Sequence, residues 1–182
     1  MTDNIGNILT AIDAATNDVT VATVATVATH TAPQPNAGQA VNFLASAKRH
    51  IKDGDFLSEH GCTENAGQLY GFVAECGLKA LFILLGNFPT DSDGNPLRNK
   101  HLPKLKSHVD EIVPIVNNID LYCQGRTAHY LGLLPNINNF LDWSVDHRYY
   151  DSASIPQSIA RWKTGADEIA NMLQQANLDG VL

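Results

Sequence analysis

The sequence predicts an all-α fold, an up-and-down bundle of four to five helices. Apolar residues recur every three to four positions in several segments after residue 38, as on the buried face of a helix. No segment alternates apolar and polar residues for long enough to be a strand. Glycine and proline fall at the ends of the apolar segments, where helices stop. With 182 residues and 44% hydrophobic content, the chain suits one folded domain, or one domain plus a tail.

Residues 1–37 are predicted to be a low-complexity arm ahead of a bundle that comprises residues 38–182. Within the arm, Thr20 to Thr29 reads TVATVATVAT and carries no charge. Threonine and valine are weak helix formers because they are β-branched, and Pro33 and Pro35 would break any helix. The alternative is a segment that docks on a partner protein.

Two helices are predicted at the start of the bundle. The first runs from Gly38 to about Phe56, and Gly61 separates it from the second. The second takes Thr63 as its N-cap and Gly86 as the residue beyond its end. It contains the most apolar stretch of the chain, so its burial is expected to contribute most to the core.

Three further helices are predicted after the polar loop NFPTDSDGNPL. Pro103 suits the first turn of the third helix, where its missing N–H costs little. The fourth spans Ile119 to Leu134 and is stopped by Pro135. The last begins after the cap-like stretch 154–156 and runs to about Ala176.

The composition indicates a soluble intracellular protein. A net charge of -7 argues against a surface that coats nucleic acid indiscriminately. Cys62, Cys76 and Cys123 form no CxxC pair, which suits reduced thiols in the cytosol. The N-terminus lacks a basic signal-peptide region, and the longest apolar run, Ala80 to Leu85, is shorter than the ~20 residues that a bilayer requires. We therefore expect a cytoplasmic protein with no membrane span.

Neither a metal nor a cofactor is expected. His60 and Cys62 are a single ligand pair, whereas zinc sites require three or four ligands. No phosphate-binding glycine loop and no nucleophile-elbow motif is present in the sequence.

The central helix carries one acid and one base within its apolar sequence. Glu75 precedes Lys79 by four residues, the favourable order for a helical ion pair. Phe72 and Phe82 flank the pair on the same sector of the helix. This narrow stripe favours a subunit interface or the rim of a cleft, and the alternative is a solvated stripe on an amphipathic helix.

Three segments, in their order and spacing, resemble the HEPN domain family over roughly residues 38–176. They are AGQLYGFVAECGLKALFILLG, then KHLPKL, then DWSVDHRYYD. HEPN proteins are small α-helical bundles, usually dimeric, common in prokaryotic toxin–antitoxin, CRISPR and anti-phage systems. Many are metal-independent ribonucleases, and others bind nucleotides or serve as interaction modules. The resemblance implies a homodimer, with a cognate antitoxin or a nucleotidyltransferase-type protein as its partner.

The active site of the family pairs an arginine with a histidine four to six residues later, and this chain lacks that pair. Two closer pairs exist, Arg126 with His129 and, as the alternative, Arg98 with His101. Residues at i and i+3 share a helix face, so either pair could act on a phosphodiester. Histidine would transfer the proton, and arginine would stabilise charge on the phosphoryl oxygens.

Two basic segments are candidates for binding nucleotide or RNA phosphate. Lys100, Lys104 and His108 recur at intervals of four and would line one face of the third helix, unless they form a solvated face. The second segment contains His147, Arg148 and Tyr149, where arginine could hold a phosphate and an aromatic ring could stack on a base. A structural ion pair of the arginine with a neighbouring aspartate is the alternative.

The expected function is a HEPN-like domain that binds nucleotide or RNA phosphate in a toxin–antitoxin or anti-phage setting. Metal-independent RNA cleavage is one form of this function. The alternative is a non-catalytic module for protein interaction or dimerisation, in which the TVA arm and the phenylalanine-flanked stripe dock a partner.

Overall fold

The computed structural model describes residues 40–86, 88–98, 100–102, 104–118 and 125–182. The predicted N-terminal arm lies outside the described residues, as do Pro103 and the first part of the predicted helix Ile119–Leu134.

The described residues are helical and contain no β-strand, which confirms the predicted all-α class. An isolated bridge between Thr90 and Pro96 is the only β pairing found in them. The α-helices are α1 (Phe43–Glu59), α2 (Thr63–Leu85), α3 (Val109–Val116), α4 (Arg126–Leu131) and α5 (Ile159–Leu178). Two 3-10 helices, Ile137–Asp142 and Val145–Tyr149, lie between α4 and α5.

The core is built around α2, which packs against both other long helices, α1 and α5. The short α3 and α4 and the second 3-10 helix also contact it. Most of its side chains are buried, including Tyr70, Val73, Leu78, Leu81 and Phe82, each 0% exposed. Removing this much apolar surface from water supplies the main driving force for folding.

Glycines on α2 allow neighbouring side chains to lie directly against its backbone. A Cβ atom on Gly71 would lie 2.0 Å from a ring atom of Trp143, and one on Gly77 would lie 2.3 Å from Ile169. The Trp143 indole also donates a hydrogen bond from Nε1 to the Gly67 carbonyl at 3.1 Å. The segment that carries the 3-10 helices is therefore anchored to α2 through this tryptophan.

The helix starts differ from the predicted ones. α1 begins at Phe43 because Asn42, rather than a residue near Gly38, caps it and accepts a hydrogen bond from the Ala45 amide at 2.9 Å. Thr63 is the first residue of α2, and Cys62 occupies the N-cap position. α5 begins at Ile159, after turns that include the predicted cap at 154–156.

The third helix is also shorter than predicted and begins at Val109. The described residues among 100–108 form turns and bends rather than a helix. Leu102 precedes a proline, which disfavours helical backbone at that position. Asp110 and Glu111 occupy the first turn of α3, where carboxylates complement the positive end of the helix dipole. Those two acids are the sequence signal that marks the true start.

By length and composition alone, α2 could cross a bilayer. The uninterrupted apolar run Ala80–Leu85, on which the expectation of no membrane span depends, is only the last part of this helix. However, 67% of its most apolar window is buried inside the chain. Since the core helix of a bundle meets the same criteria, the apolar character of α2 is accounted for by its central position.

The two cysteines of the described residues should differ sharply in reactivity. Cys62 is exposed, whereas burial raises the pKa of the Cys76 thiol to about 11. Since the thiolate is the reactive species, a C62S/C123S variant should react with a thiol reagent such as DTNB roughly a hundredfold more slowly than a C76S/C123S variant. Stopped-flow absorbance at neutral pH measures both rates. Equal rates would mean that the α2 environment opens readily in solution.

Candidate functional site

The Glu75 carboxylate lies between two nitrogen groups. Its Oε1 accepts a hydrogen bond from Lys79 Nζ at 2.7 Å, and its Oε2 lies 2.9 Å from His108 Nδ1. The side chains of Glu75 and Lys79 are 12% and 8% exposed, whereas His108 is 51% exposed. A nearly buried ion pair is thus in contact with an imidazole that is accessible to solvent.

Two elements that are distant in sequence bring these groups together. Glu75 and Lys79 are one turn apart on α2, so their side chains share a face. His108 is the N-cap residue of α3, with an extended backbone at φ -85° and ψ 172°. Val109 and Ile112 are 0% exposed and anchor the start of α3 in the core, which holds the imidazole beside α2.

Phe43, in the first turn of α1, lies beside the ammonium group of the ion pair. The Phe43 ring centroid lies 5.5 Å from Lys79 Nζ, within the range of a cation–π contact. Further along α1, burial and the nearby Arg49 lower the pKa of His50, while Asp53 and Glu75 act in the opposite direction. The negative charge of Glu75 therefore acts on a histidine of α1 as well as on the histidine at the start of α3.

A pocket of about 320 Å³ opens over this cluster. Its lining comprises Glu75, Lys79, Lys104, Lys106, Ser107, His108 and Glu111. The pocket thus carries three ammonium groups against two carboxylates and is net positive even when its imidazole is neutral, in a chain whose net charge is -7. This reversal of sign favours an anionic ligand.

At the rim of the pocket the charges are weakly paired. Lys104 Nζ lies 3.9 Å from Glu111 Oε2, and both side chains are more than 60% exposed. A hydrogen bond from Ser107 and the charge of Lys104 lower the pKa of the Glu111 carboxyl. Such an exposed pair contributes little to stability, so Lys104 can turn toward a ligand at small cost.

The arrangement also fixes how His108 presents its ring. A carboxylate can only accept hydrogen bonds, so the ring nitrogen that faces Glu75, Nδ1, carries a proton. In the neutral ring, Nε2 then has a free lone pair. Imidazoles oriented in this way by a carboxylate serve as proton-transfer groups in other proteins.

The first basic segment reaches the pocket only in part. Lys104 and His108 line it together with Lys106, and their contact with phosphate stays a prediction. Lys100 is exposed in a turn and does not line the pocket. The predicted helical face of Lys100, Lys104 and His108 is wrong, because these residues precede α3.

The second basic segment does not act as one surface. His147 is only 7% exposed, stacks on Trp162 at 5.8 Å between centroids, and accepts a hydrogen bond from the Ser144 amide at 3.3 Å. It therefore serves packing, in contrast to the prediction that it contacts phosphate. Arg148 lies over the Tyr149 ring at 4.7 Å, and Tyr149 is 72% exposed. This cation–aromatic pair remains on the surface.

The two predicted arginine–histidine pairs lie in different settings. Arg126 and His129 are exposed on α4, one turn apart as predicted. His129 borders a pocket of about 430 Å³ whose lining includes Glu168 but not Arg126. Arg98 and His101 are exposed in the turn region before α3, so the helical spacing proposed for them does not apply.

The phenylalanines that flank the central stripe are largely internal. Phe82 is 0% exposed and lies 5.3 Å from the Phe88 ring, so it presents no surface to a second copy. Phe72 is partly buried between His50 and Trp143, each 5.5 Å away. Of the stripe, only Glu75 and Lys79 line a pocket, and the role of the stripe in a subunit interface stays a prediction.

Sequence reasoning missed that the charged pair of α2 and the lysines before α3 form one site. The available signal was the ion pair itself, because charges within an apolar helix require polar partners. Among the described residues, no group of three or more His, Cys, Asp or Glu side chains is arranged to hold a metal ion.

The chain was also compared with known proteins. No protein-family model matches it, and neither the curated proteins nor the solved structures include a significant match.

Proposed function

We propose that this chain is a HEPN-like helical domain that binds the phosphate of a nucleotide or RNA in the pocket beside Glu75. The single observation that supports this most is the net positive pocket in an acidic chain. Lys79 is the inner donor, while Lys104, Lys106 and His108 are outer donors, and ammonium groups are common phosphate ligands. The sequence resemblance supplies the expected setting, a cytoplasmic homodimer in toxin–antitoxin or anti-phage defence.

A charge-matched pair of variants tests phosphate binding. Replacing Lys104 and Lys106 by glutamine removes two charges at the pocket, and replacing Lys48 and Lys52 removes two exposed charges on α1. Fluorescence anisotropy with a labelled RNA hexamer at fixed salt measures affinity. The pocket variant should bind roughly tenfold more weakly than wild type and show a shallower salt dependence. Equal losses in both variants would mean that only the overall charge matters.

The same site favours metal-independent RNA cleavage as a second function. In this reaction His108 Nε2 would take the proton of a ribose 2′-hydroxyl. The 2′ oxygen would bond to phosphorus while the P–O5′ bond breaks, giving a 2′,3′-cyclic phosphate, and the departing 5′ oxygen would take a proton from water. Lys79 and Lys104 would offset charge on the phosphoryl oxygens. The observation in favour is the carboxylate that orients His108.

Assays of RNA cleavage with and without EDTA test this second function. His108→Ala should abolish cleavage, whereas His129→Ala and His101→Ala should not. Loss on His129→Ala alone would assign the reaction to the α4 pair instead. If the purified wild-type protein cleaves no RNA, the chain is a binding module without this activity.

An apolar groove favours the alternative of a protein-interaction module. About 370 Å³ in volume, it lies between the start of α1 and the end of α2, and Val41, Phe43, Ile83, Leu84 and Leu182 line it together with neighbouring residues. Leu84 is 52% exposed there. Co-purification of a stoichiometric second protein, lost in a Leu84→Glu variant, would support this alternative.

A further inference from the structure

The Glu75 carboxylate is the shared counter-ion of the pocket. Each of its oxygens serves a different nitrogen group, Lys79 on one side and His108 on the other. Because Glu75 is only 12% exposed, water screens these interactions poorly. One negative charge in such a place cannot fully neutralise two cations, so its partners compete for it.

The other charged groups around the His108 imidazole do not replace Glu75 as its counter-ion. Glu111 of α3 faces Lys104 across the rim, and its pKa is held low, so it stays ionised. On α1, burial and Arg49 lower the pKa of His50. Lys104 and Lys106 remain cationic throughout the neutral range. Imidazole is the side chain that commonly changes charge between about pH 5 and 8, and His108 is the imidazole that contacts Glu75 in this pocket.

We propose that Glu75 and His108 form a proton-linked counter-ion switch that controls how strongly Lys79 binds phosphate. This inference rests on the proposed phosphate site. When His108 is neutral, Lys79 is the only cation among the described residues that the negative charge of Glu75 offsets directly. When His108 is protonated, the same carboxylate has to offset two cations, so the ammonium of Lys79 attracts an anion more strongly.

The sign of the effect follows from linkage. The protonated pocket carries one more positive charge, so a phosphate binds it more tightly, and affinity rises as pH falls. By reciprocity, phosphate binding at neutral pH promotes proton uptake by the pocket. The switch therefore links anion binding to proton uptake by the pocket.

A DNA probe isolates this effect from catalysis and from titration of the ligand. A rhodamine-labelled thymidine hexamer has no 2′-hydroxyl to be cleaved, and its phosphodiesters keep their charge between pH 5.5 and 8. Anisotropy titrations at constant ionic strength should give roughly fivefold tighter binding by wild type at pH 5.5 than at pH 8. Calorimetry in two buffers of different ionisation enthalpy should show proton uptake near pH 7.

Two variants should change the affinity at pH 8 in opposite directions. His108→Gln should bind more weakly than wild type, with a flat pH profile. Glu75→Gln should bind more tightly than wild type at pH 8 and keep only the smaller slope that the charge of His108 itself produces. His60→Gln, at the exposed C-terminal end of α1, is the matched control and should keep the wild-type slope. Circular dichroism melting checks folding. Since His108 is half exposed, its variant tests the switch even if Glu75→Gln unfolds.

The outcomes separate this inference from the proposed function. Binding that is independent of pH, or a slope that survives in His108→Gln, would overturn the switch and leave the phosphate site intact. Weaker binding by folded Glu75→Gln at pH 8 would also overturn it. Absence of binding at every pH would remove both the site and the switch.

Discussion

Replacing Gly71 by alanine should destabilise the helical domain by about 3 kcal/mol. The new Cβ would lie 2.0 Å from Cε2 of Trp143 and 2.2 Å from its Nε1. Because Trp143 is only 1% exposed, its ring has no room to move without disturbing other core residues. The shift would also strain the hydrogen bond from its indole to the Gly67 carbonyl. Urea denaturation followed by circular dichroism measures the loss.

Gly67→Ala is the matched control on the same helix. Both changes gain about 1 kcal/mol of helix propensity, so their difference reports packing alone. At Gly67 the nearest contacts to the new Cβ are two ring atoms of Trp162 at 3.0 and 3.1 Å, so this site requires a much smaller displacement than the 2.0 Å contact at Gly71. We expect Gly67→Ala to lie within about 1 kcal/mol of wild type. Equal effects of the two variants would mean that Trp143 does not pack on α2 as closely as described.

Removing one member of the α2 ion pair should also be severe. Lys79→Met leaves the Glu75 carboxylate, 12% exposed, with His108 as its only partner among the described residues. Breaking a buried pair in this way typically costs 3–5 kcal/mol, and the remaining imidazole places the expected loss near ~3 kcal/mol. Chemical denaturation at pH 7 measures it.

The double variant Glu75→Leu/Lys79→Met distinguishes pairing from packing. Apolar residues of similar volume commonly replace a buried ion pair without loss, so the double variant should recover to within about 1 kcal/mol of wild type. Glu111→Gln, which breaks the exposed pair with Lys104 and removes a carboxylate from the first turn of α3, should cost less than about 1 kcal/mol. If the double variant is instead less stable than Lys79→Met, the two side chains stabilise the fold by contacts other than their ion pair.

Local sequence signals predicted α2 well and α3 badly. The apolar run and its flanking Gly61 and Gly86 predict almost the observed bounds of α2, Thr63 and Leu85. For α3, the proline at position 103 predicts a start several residues before the acids Asp110 and Glu111, which mark the actual start. A proline is tolerated in a first turn but does not require one, whereas carboxylates in a first turn are stabilised by the helix dipole.

The site shows a similar division. The sequence drew attention to Glu75, Lys79, Lys104 and His108, but on two separate grounds, an ion pair within an apolar helix and a basic cluster. Only the packing of α3 against α2 joins them, across a separation of 33 residues between Glu75 and His108. The burial of His147 and Phe82 was likewise invisible, because helical spacing specifies a face but not what covers it.

By itself, then, the amino-acid sequence determined the all-α class, the central apolar helix and the ion pair on one of its faces, because these depend on periodicity and neighbouring residues. The tertiary structure decided which charged groups meet in the pocket and which aromatic and imidazole side chains are internal. These outcomes depend on contacts between distant segments, which are selected by the burial of the whole core rather than by any local pattern.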